Sequence, residues 1–312
     1  MPQPAPDSPP RPFPITGESY TWTGPDGLDQ PARVWKPEST ATPAYLVVAT
    51  HGLNGSAEDF EPLARALADR DGAVVRALNL RGMGNDPVPK RIGDLKGREA
   101  TWIEQLQAFS AESRKRHPGL PVIWIGESLG SVITAHTLVH TPPDALPAAA
   151  VLAVPVTALE NPLSWWQEAL FRTMNVLAPW KRIDLEALGE DAAPADDPEA
   201  RRLTRDAAYQ AWNEQRPDKV DTFTLRLLFT MGKLIEAMPA FAPDLPVPTL
   251  VLSAGHDIFI RLDQVTPFVE AAPEDRVTHQ VYPDSYHLLF HDLEKERVVA
   301  DVRAWMRGVV QD

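Results

Sequence analysis

The chain has 312 residues, enough for one large core and an inserted subdomain. Hydrophobic residues make up 44% and charged residues 23%, the mix of a globular protein, and the formal net charge of -13 repels phosphate backbones, so nucleic acid is not an expected partner. There is no cysteine, which excludes disulfides, thiolate metal sites and a cysteine nucleophile while leaving the compartment open.

Met1 to Pro14 holds seven prolines, and residues 1–15 are expected to be a proline-rich disordered lead-in. No cationic and apolar signal segment precedes it, so the chain as it stands reads as cytoplasmic; a trimmed leader would place it in the cell envelope. The most apolar stretch, Leu146 to Leu159, is broken by Pro147 and Pro155 and falls short of the roughly 20 residues needed to cross a bilayer.

From Tyr20 onward, short apolar runs alternate with helical patterns, the signature of a mostly parallel sheet covered on both faces. Tyr20–Trp22 and Ala32–Trp35 flank the turn Gly24-Pro25-Asp26-Gly27 and read as a hairpin. Strands follow at Tyr45–Thr50, Ala73–Leu80, Val122–Ile125 and Ala149–Val154. The intervening helices are marked by Phe60, Leu63, Ala64 and Leu67, then by Trp102, Ile103, Leu106 and Phe109, then by Leu129, Val132, Ile133 and His136. The alternation stops over 156–244, where no strand is expected. Stripes such as Trp166, Leu170, Met174 and Leu177, or Leu228, Met231, Ile235 and Met238, predict a helical cap, with an acidic loop at Gly189 to Asp197. It resumes with strands Thr249–Ser253 and Val277–Tyr282 and a final helix through Val298, Val302, Trp305, Met306 and Val309. An α/β core of residues 16–155 and 245–312 is therefore interrupted by a cap of residues 156–244.

Chemistry concentrates at Gly126-Glu127-Ser128-Leu129-Gly130. This G-x-S-x-G lies between a predicted strand and a predicted helix, where a sharp turn strains the serine and needs small residues on both sides. A chance match in a loop would lack those flanks. Ser128 is thus the candidate nucleophile, and it argues against an aspartate-nucleophile hydrolase. Of eight histidines, His287 lies just after the last strand, where a loop can bring it over the sheet edge as general base. His291, four residues on, is its rival, and His279 sits inside a strand as a structural residue. His287 and His291 lack the glutamate that a zinc helix of a metalloprotease carries beside its first histidine, and no metal is expected. Asp257 in Gly255-His256-Asp257 ends the preceding strand and is placed to orient His287; Asp263 falls inside the next helix. In His51-Gly52-Leu53-Asn54-Gly55 a glycine turn presents the N–H of Leu53, which with that of Leu129 would form an oxyanion hole. His51 and Arg81 are expected to brace loops.

HGLNG at His51 to Gly55, LRGMG at Leu80 to Gly84, GESLG at Gly126 to Gly130, GHD at Gly255 to Asp257 and YHLLFHD at Tyr286 to Asp292 together resemble the monoacylglycerol lipase and lysophospholipase-like branch of the α/β-hydrolases, grouped with serine aminopeptidase-like hydrolases. The resemblance implies an eight-stranded sheet, a helical cap and cofactor-free hydrolysis of small-molecule esters with an apolar acyl or alkyl part. Where that family usually has a second glycine after the nucleophile turn, this chain has Ser131. An apolar cap also implies transient contact with lipid or membrane surfaces. Two other readings stay open. A peptidase of the proline-iminopeptidase kind would use acidic cap residues such as Glu186, Glu190, Asp191, Asp196 and Asp197 to hold a free amine, and a non-catalytic binding protein would keep only the fold.

Overall fold

A computed structural model describes residues 10–38, 42–96, 100–158, 165–184 and 201–311. Eight strands form one sheet: β1 Glu18–Thr23, β2 Asp29–Trp35, β3 Leu46–Thr50, β4 Val74–Leu78, β5 Val122–Glu127, β6 Ala149–Ala153, β9 Thr249–Ala254 and β10 Val277–Tyr282. Their order is β1-β2-β4-β3-β5-β6-β9-β10. The pairs β1–β2 and β2–β4 are antiparallel, and every later pair is parallel. Strands β3 to β6 and β9 are buried at every residue, because helices cover both faces; this is why they read as unbroken apolar runs.

One face carries α2 Ala100–Arg116 and α3 Leu129–Val139, where Trp102, Phe109, Trp124, Val132 and Ile133 form a continuous core. The other carries α1 Glu61–Asp71 and α8 Lys295–Gln311, packed through Phe60, Leu67, Ile125, Phe290 and Val302. Glycine closes α1: Gly72 has φ of 65°, a conformation that costs side-chain-bearing residues more.

Between β6 and β9 lie α4 Trp165–Leu177, α5 Ala207–Glu214 and α6 Leu225–Phe241, of which α4 and α6 carry the stripes that predict a helix. Contrary to expectation this stretch also holds strands, β7 Arg182–Asp184 and β8 Thr222–Thr224, which pair antiparallel. Three residues are too few for an alternation to be read from sequence. Helix α7, Leu262–Ala271, follows β9. The expected acidic loop at Gly189 to Asp197 and most of the proline-rich lead-in lie outside the described residues. Residues 10–15 have neither helix nor strand, yet they are seated: Phe13 stacks on Tyr209 and His291, and the Arg11 guanidinium lies 4.3 Å from the Trp212 ring.

Candidate active site

Ser128 sits between the last residue of β5 and the first of α3, with φ 54° and ψ -120°. A non-glycine residue is strained there, and the surrounding packing holds it. Its N–H donates to the carbonyl of Ala153 over 2.9 Å, pinning the turn to β6. The flanking glycines are sterically required. A Cβ on Gly126 would stand 2.4 Å from the Gly130 carbonyl oxygen, and one on Gly130 would stand 2.0 Å from that of Thr50. Ser131 is buried, and its hydroxyl donates to the carbonyl of Ala153 over 2.8 Å, so the serine in place of a second glycine adds an anchor to the elbow.

The loops after β9 and β10 leave the same C-terminal edge of the parallel strands as Ser128, and they meet each other there. His256 N–H donates to the Ser285 carbonyl, and a Cβ on Gly255 would stand 2.0 Å from the Pro283 carbonyl oxygen. Asp257 and His287 come together on these loops: Nδ1 of the imidazole bonds Oδ2 of the carboxylate over 2.7 Å, with the side chains 4% and 1% exposed. Phe259, an exposed ring, stands edge-on to His287 at 4.8 Å. The rivals are placed elsewhere. His291 is buried, donates from Nε2 to the Asp59 carbonyl and stacks on Tyr209 at 3.9 Å. His279 bonds the Ser253 hydroxyl, and Asp263 pairs with exposed Arg261. Among the described residues no cluster of three His, Cys, Asp or Glu side chains could hold a metal.

The turn after β3 abuts the elbow: a Cβ on Gly52 would lie 3.0 Å from Cβ of Ser128. His51 is wholly buried, accepts the Leu80 N–H at Nε2 and donates from Nδ1 to the Gly52 carbonyl over 2.8 Å. Burial pushes its pKa down to about 4, so it braces the turn as a neutral imidazole of one tautomer. Arg81 likewise sits in a loop brace; its N–H donates to Gln105.

Sequence reading missed the residues that join this turn to the inserted segment. Asn54 bonds both backbone groups of Val220, accepting its N–H over 2.9 Å and donating to its carbonyl. Arg216 reaches Oδ2 of Asp59 at 3.0 Å, the Ser56 hydroxyl at 2.9 Å and both oxygens of Asp218, with 2% of its side chain exposed. Burial would pull the guanidinium pKa down, but Asp59 and Asp218 override this and hold it well above its usual value. The one available signal was Asn54 itself, a polar residue at φ 56° inside a glycine turn.

Sheet order, strained serine turn and covered parallel strands define an α/β-hydrolase. The model of the family described as serine aminopeptidase, S33, matches residues 41–294, and the chain belongs to that family. It is 27% identical to the monoacylglycerol lipase of Mycolicibacterium smegmatis over 93% of this chain and 97% of that protein. It is 25% identical to the monoglyceride lipase of Homo sapiens, over 90% of this chain and 88% of that one. Among solved structures, a soluble variant of the monoglyceride lipase from Saccharomyces cerevisiae, in complex with a substrate analog, superposes with a TM-score of 0.80. The match covers 96% of this chain and 99% of that one at 15% identity, a likeness of fold.

Proposed function

We propose that this chain is a serine carboxylic-ester hydrolase of the monoacylglycerol lipase type, with Ser128 as nucleophile, His287 as general base and Asp257 as its orienting acid. The observation that carries the reading is the buried Asp257–His287 pair, on loops after β9 and β10, at the sheet edge where β5 delivers Ser128. His287 takes the proton of the Ser128 hydroxyl as its oxygen attacks the ester carbonyl. The tetrahedral oxyanion rests on the N–H groups of Leu53 and Leu129, and His287 then protonates the leaving alcohol. Water, deprotonated by His287, attacks the acyl-enzyme; the acid leaves and Ser128 regains its proton.

Substrates are small esters with an apolar acyl chain, consistent with relatives named for monoacylglycerol. The inserted segment, residues 156–244, is the cap that receives that chain. Leu170, Val176, Leu177 and Trp180 are exposed on and just after α4, an unpartnered apolar surface suited to brief contact with lipid aggregates. The relatives' activity weighs against an aminopeptidase. The acidic residues that would hold a free amine, Glu186, Glu190, Asp191, Asp196 and Asp197, lie outside the described residues.

The test is hydrolysis of p-nitrophenyl esters from acetate to palmitate and of aminoacyl p-nitroanilides, with wild type and Ser128→Ala. Ester turnover that falls roughly a thousandfold or more in the variant is expected. Turnover of the anilides alone, or an unaffected variant, overturns the reading.

A further inference from the structure

Glu127 is the last residue of β5 and the neighbour of the nucleophile in the chain. It shares the parity of Ile123 and Ile125, so its side chain leaves the sheet on the face covered by α1 and α8. It is 4% exposed, and its Oε1 has no hydrogen-bond partner. A second orphan lies in the same region: Oδ1 of Asp59, also 4% exposed, is unpartnered while Oδ2 accepts from Arg216 and the Ser56 N–H. Two acceptors buried without a donor are costly, unless one of them carries a proton.

In this space the cation that bonds buried carboxylates directly is Arg216. From the 3-10 turn before α1 comes the Asp59 carboxylate, and from the inserted segment come Arg216, Asp218 and the Tyr209 phenol. From the end of β3 and the turn after β10 come His51 and His291, both held neutral by burial, each near 4. Arg11 lies over the Trp212 ring and pairs with Glu58, which Arg33 also bonds, and it makes no bond to Glu127 or Asp59. One guanidinium thus serves two carboxylates that it bonds directly, and an ionised Glu127 would make a third, buried and unpaired.

We propose that Glu127 is a positioning residue that holds a proton, so that the Asp59 carboxylate bonded by the inserted segment's Arg216 meets no second buried negative charge beside the nucleophile turn. Burial, reinforced by the Asp59 charge and opposed by Arg216, pushes the Glu127 pKa up to about 8, which agrees with the geometry. When that proton leaves, Glu127 and Asp59 repel, Arg216 loses its alignment, and negative charge beside Ser128 opposes the oxyanion. The reactivity of the serine then depends on a group that never touches substrate.

The inference rests on Ser128 being the nucleophile, so its test has two readouts. The first is the labelling rate of Ser128 by a fluorophosphonate between pH 7 and 9.5, for wild type and Glu127→Gln. The wild-type rate is expected to fall by about tenfold or more as pH passes 8, while the variant, whatever its absolute rate, shows no such fall. The second is the infrared difference between wild type and variant at pH 7, expected to show a protonated carboxylic-acid C=O band that the variant lacks. Superimposable pH profiles, or no such band, overturn the proposal. If wild type fails to label at any pH, the nucleophile assignment falls, and the band alone decides whether Glu127 holds the proton.

Discussion

Nδ1 of His287 stands 2.7 Å from Oδ2 of Asp257, while Oδ1 of the same carboxylate accepts the N–H groups of Phe259, at 2.8 Å, and Ile260. One oxygen is fixed by its own loop and the other faces the imidazole. Asp257→Asn keeps the loop bonds through its amide oxygen but turns an NH2 toward Nδ1, which forces the wrong tautomer. We expect kcat on a p-nitrophenyl ester to fall by about 10⁴-fold with little change in melting temperature. A loss below about tenfold would show that Asp257 does not orient the base.

That pair was readable in the sequence because each partner lies in the loop after a strand whose apolar run is unmistakable, Thr249 to Ser253 and Val277 to Tyr282. The elbow was readable for the same reason, and the sheet followed from runs buried on both faces. What stayed hidden depends on contacts distant along the chain. Arg216 meets Asp59 across 157 positions, and no local pattern marks either as buried. Phe13 stacks on His291, although its proline-rich surroundings predict an extended, solvated segment. Strands β7 and β8 are defined only by each other. The stripe Leu170, Met174 and Leu177 was correctly helical, but periodicity says nothing of which face is covered, and Leu177 is 71% exposed.

Two glycine substitutions should move stability in opposite directions. Gly130→Ala places a methyl 2.0 Å from the Thr50 carbonyl oxygen and 2.6 Å from that of His51, both rigid backbone of the sheet edge. It should cost more than about 3 kcal/mol or prevent folding. Gly232, inside α6, has open space around the same position, and Gly232→Ala should stabilise by about 0.5–1 kcal/mol. Denaturant midpoints of the two variants check this, and a tolerated Gly130→Ala would contradict the packing described for the elbow.

Arg216→Met removes the cation between Asp59 and Asp218 while keeping most of the side-chain volume. Two carboxylates then remain buried without their counter-ion, at a cost of about 3–5 kcal/mol. Equilibrium unfolding measures it directly. A loss under about 1 kcal/mol would show that the buried network contributes little to holding the inserted segment on the core.

The apolar surface of α4 can be tested apart from chemistry. Val176 and Leu177 are 78% and 71% exposed, so Val176→Glu with Leu177→Glu disturbs no packing. Co-sedimentation with phosphatidylcholine vesicles should drop severalfold, while turnover of p-nitrophenyl acetate stays within about twofold of wild type. Equal sedimentation of both proteins would remove this surface from any role in lipid contact.

Stability should peak near pH 6.5. His51 and His291 are held neutral by burial, with pKa values near 4, so between about 4 and 6.5 the unfolded chain binds two protons that the fold does not. Stability from these groups is therefore lost as pH falls through that window, on the order of 3 kcal/mol each. Glu127 acts in reverse. Raised to about 8, it is protonated in the fold and ionised in the unfolded chain between about 4.5 and 8, so its contribution falls as pH rises across that range. Below 6.5 the two histidines outweigh the one carboxyl, and above 6.5 the carboxyl acts alone. Melting temperatures from pH 4.5 to 9 should thus rise to a maximum and then decline to about pH 8. In Glu127→Gln the decline above 6.5 should vanish while the acid limb persists. A wild-type curve that climbs steadily to pH 8 would mean that Glu127 is ionised in the folded protein.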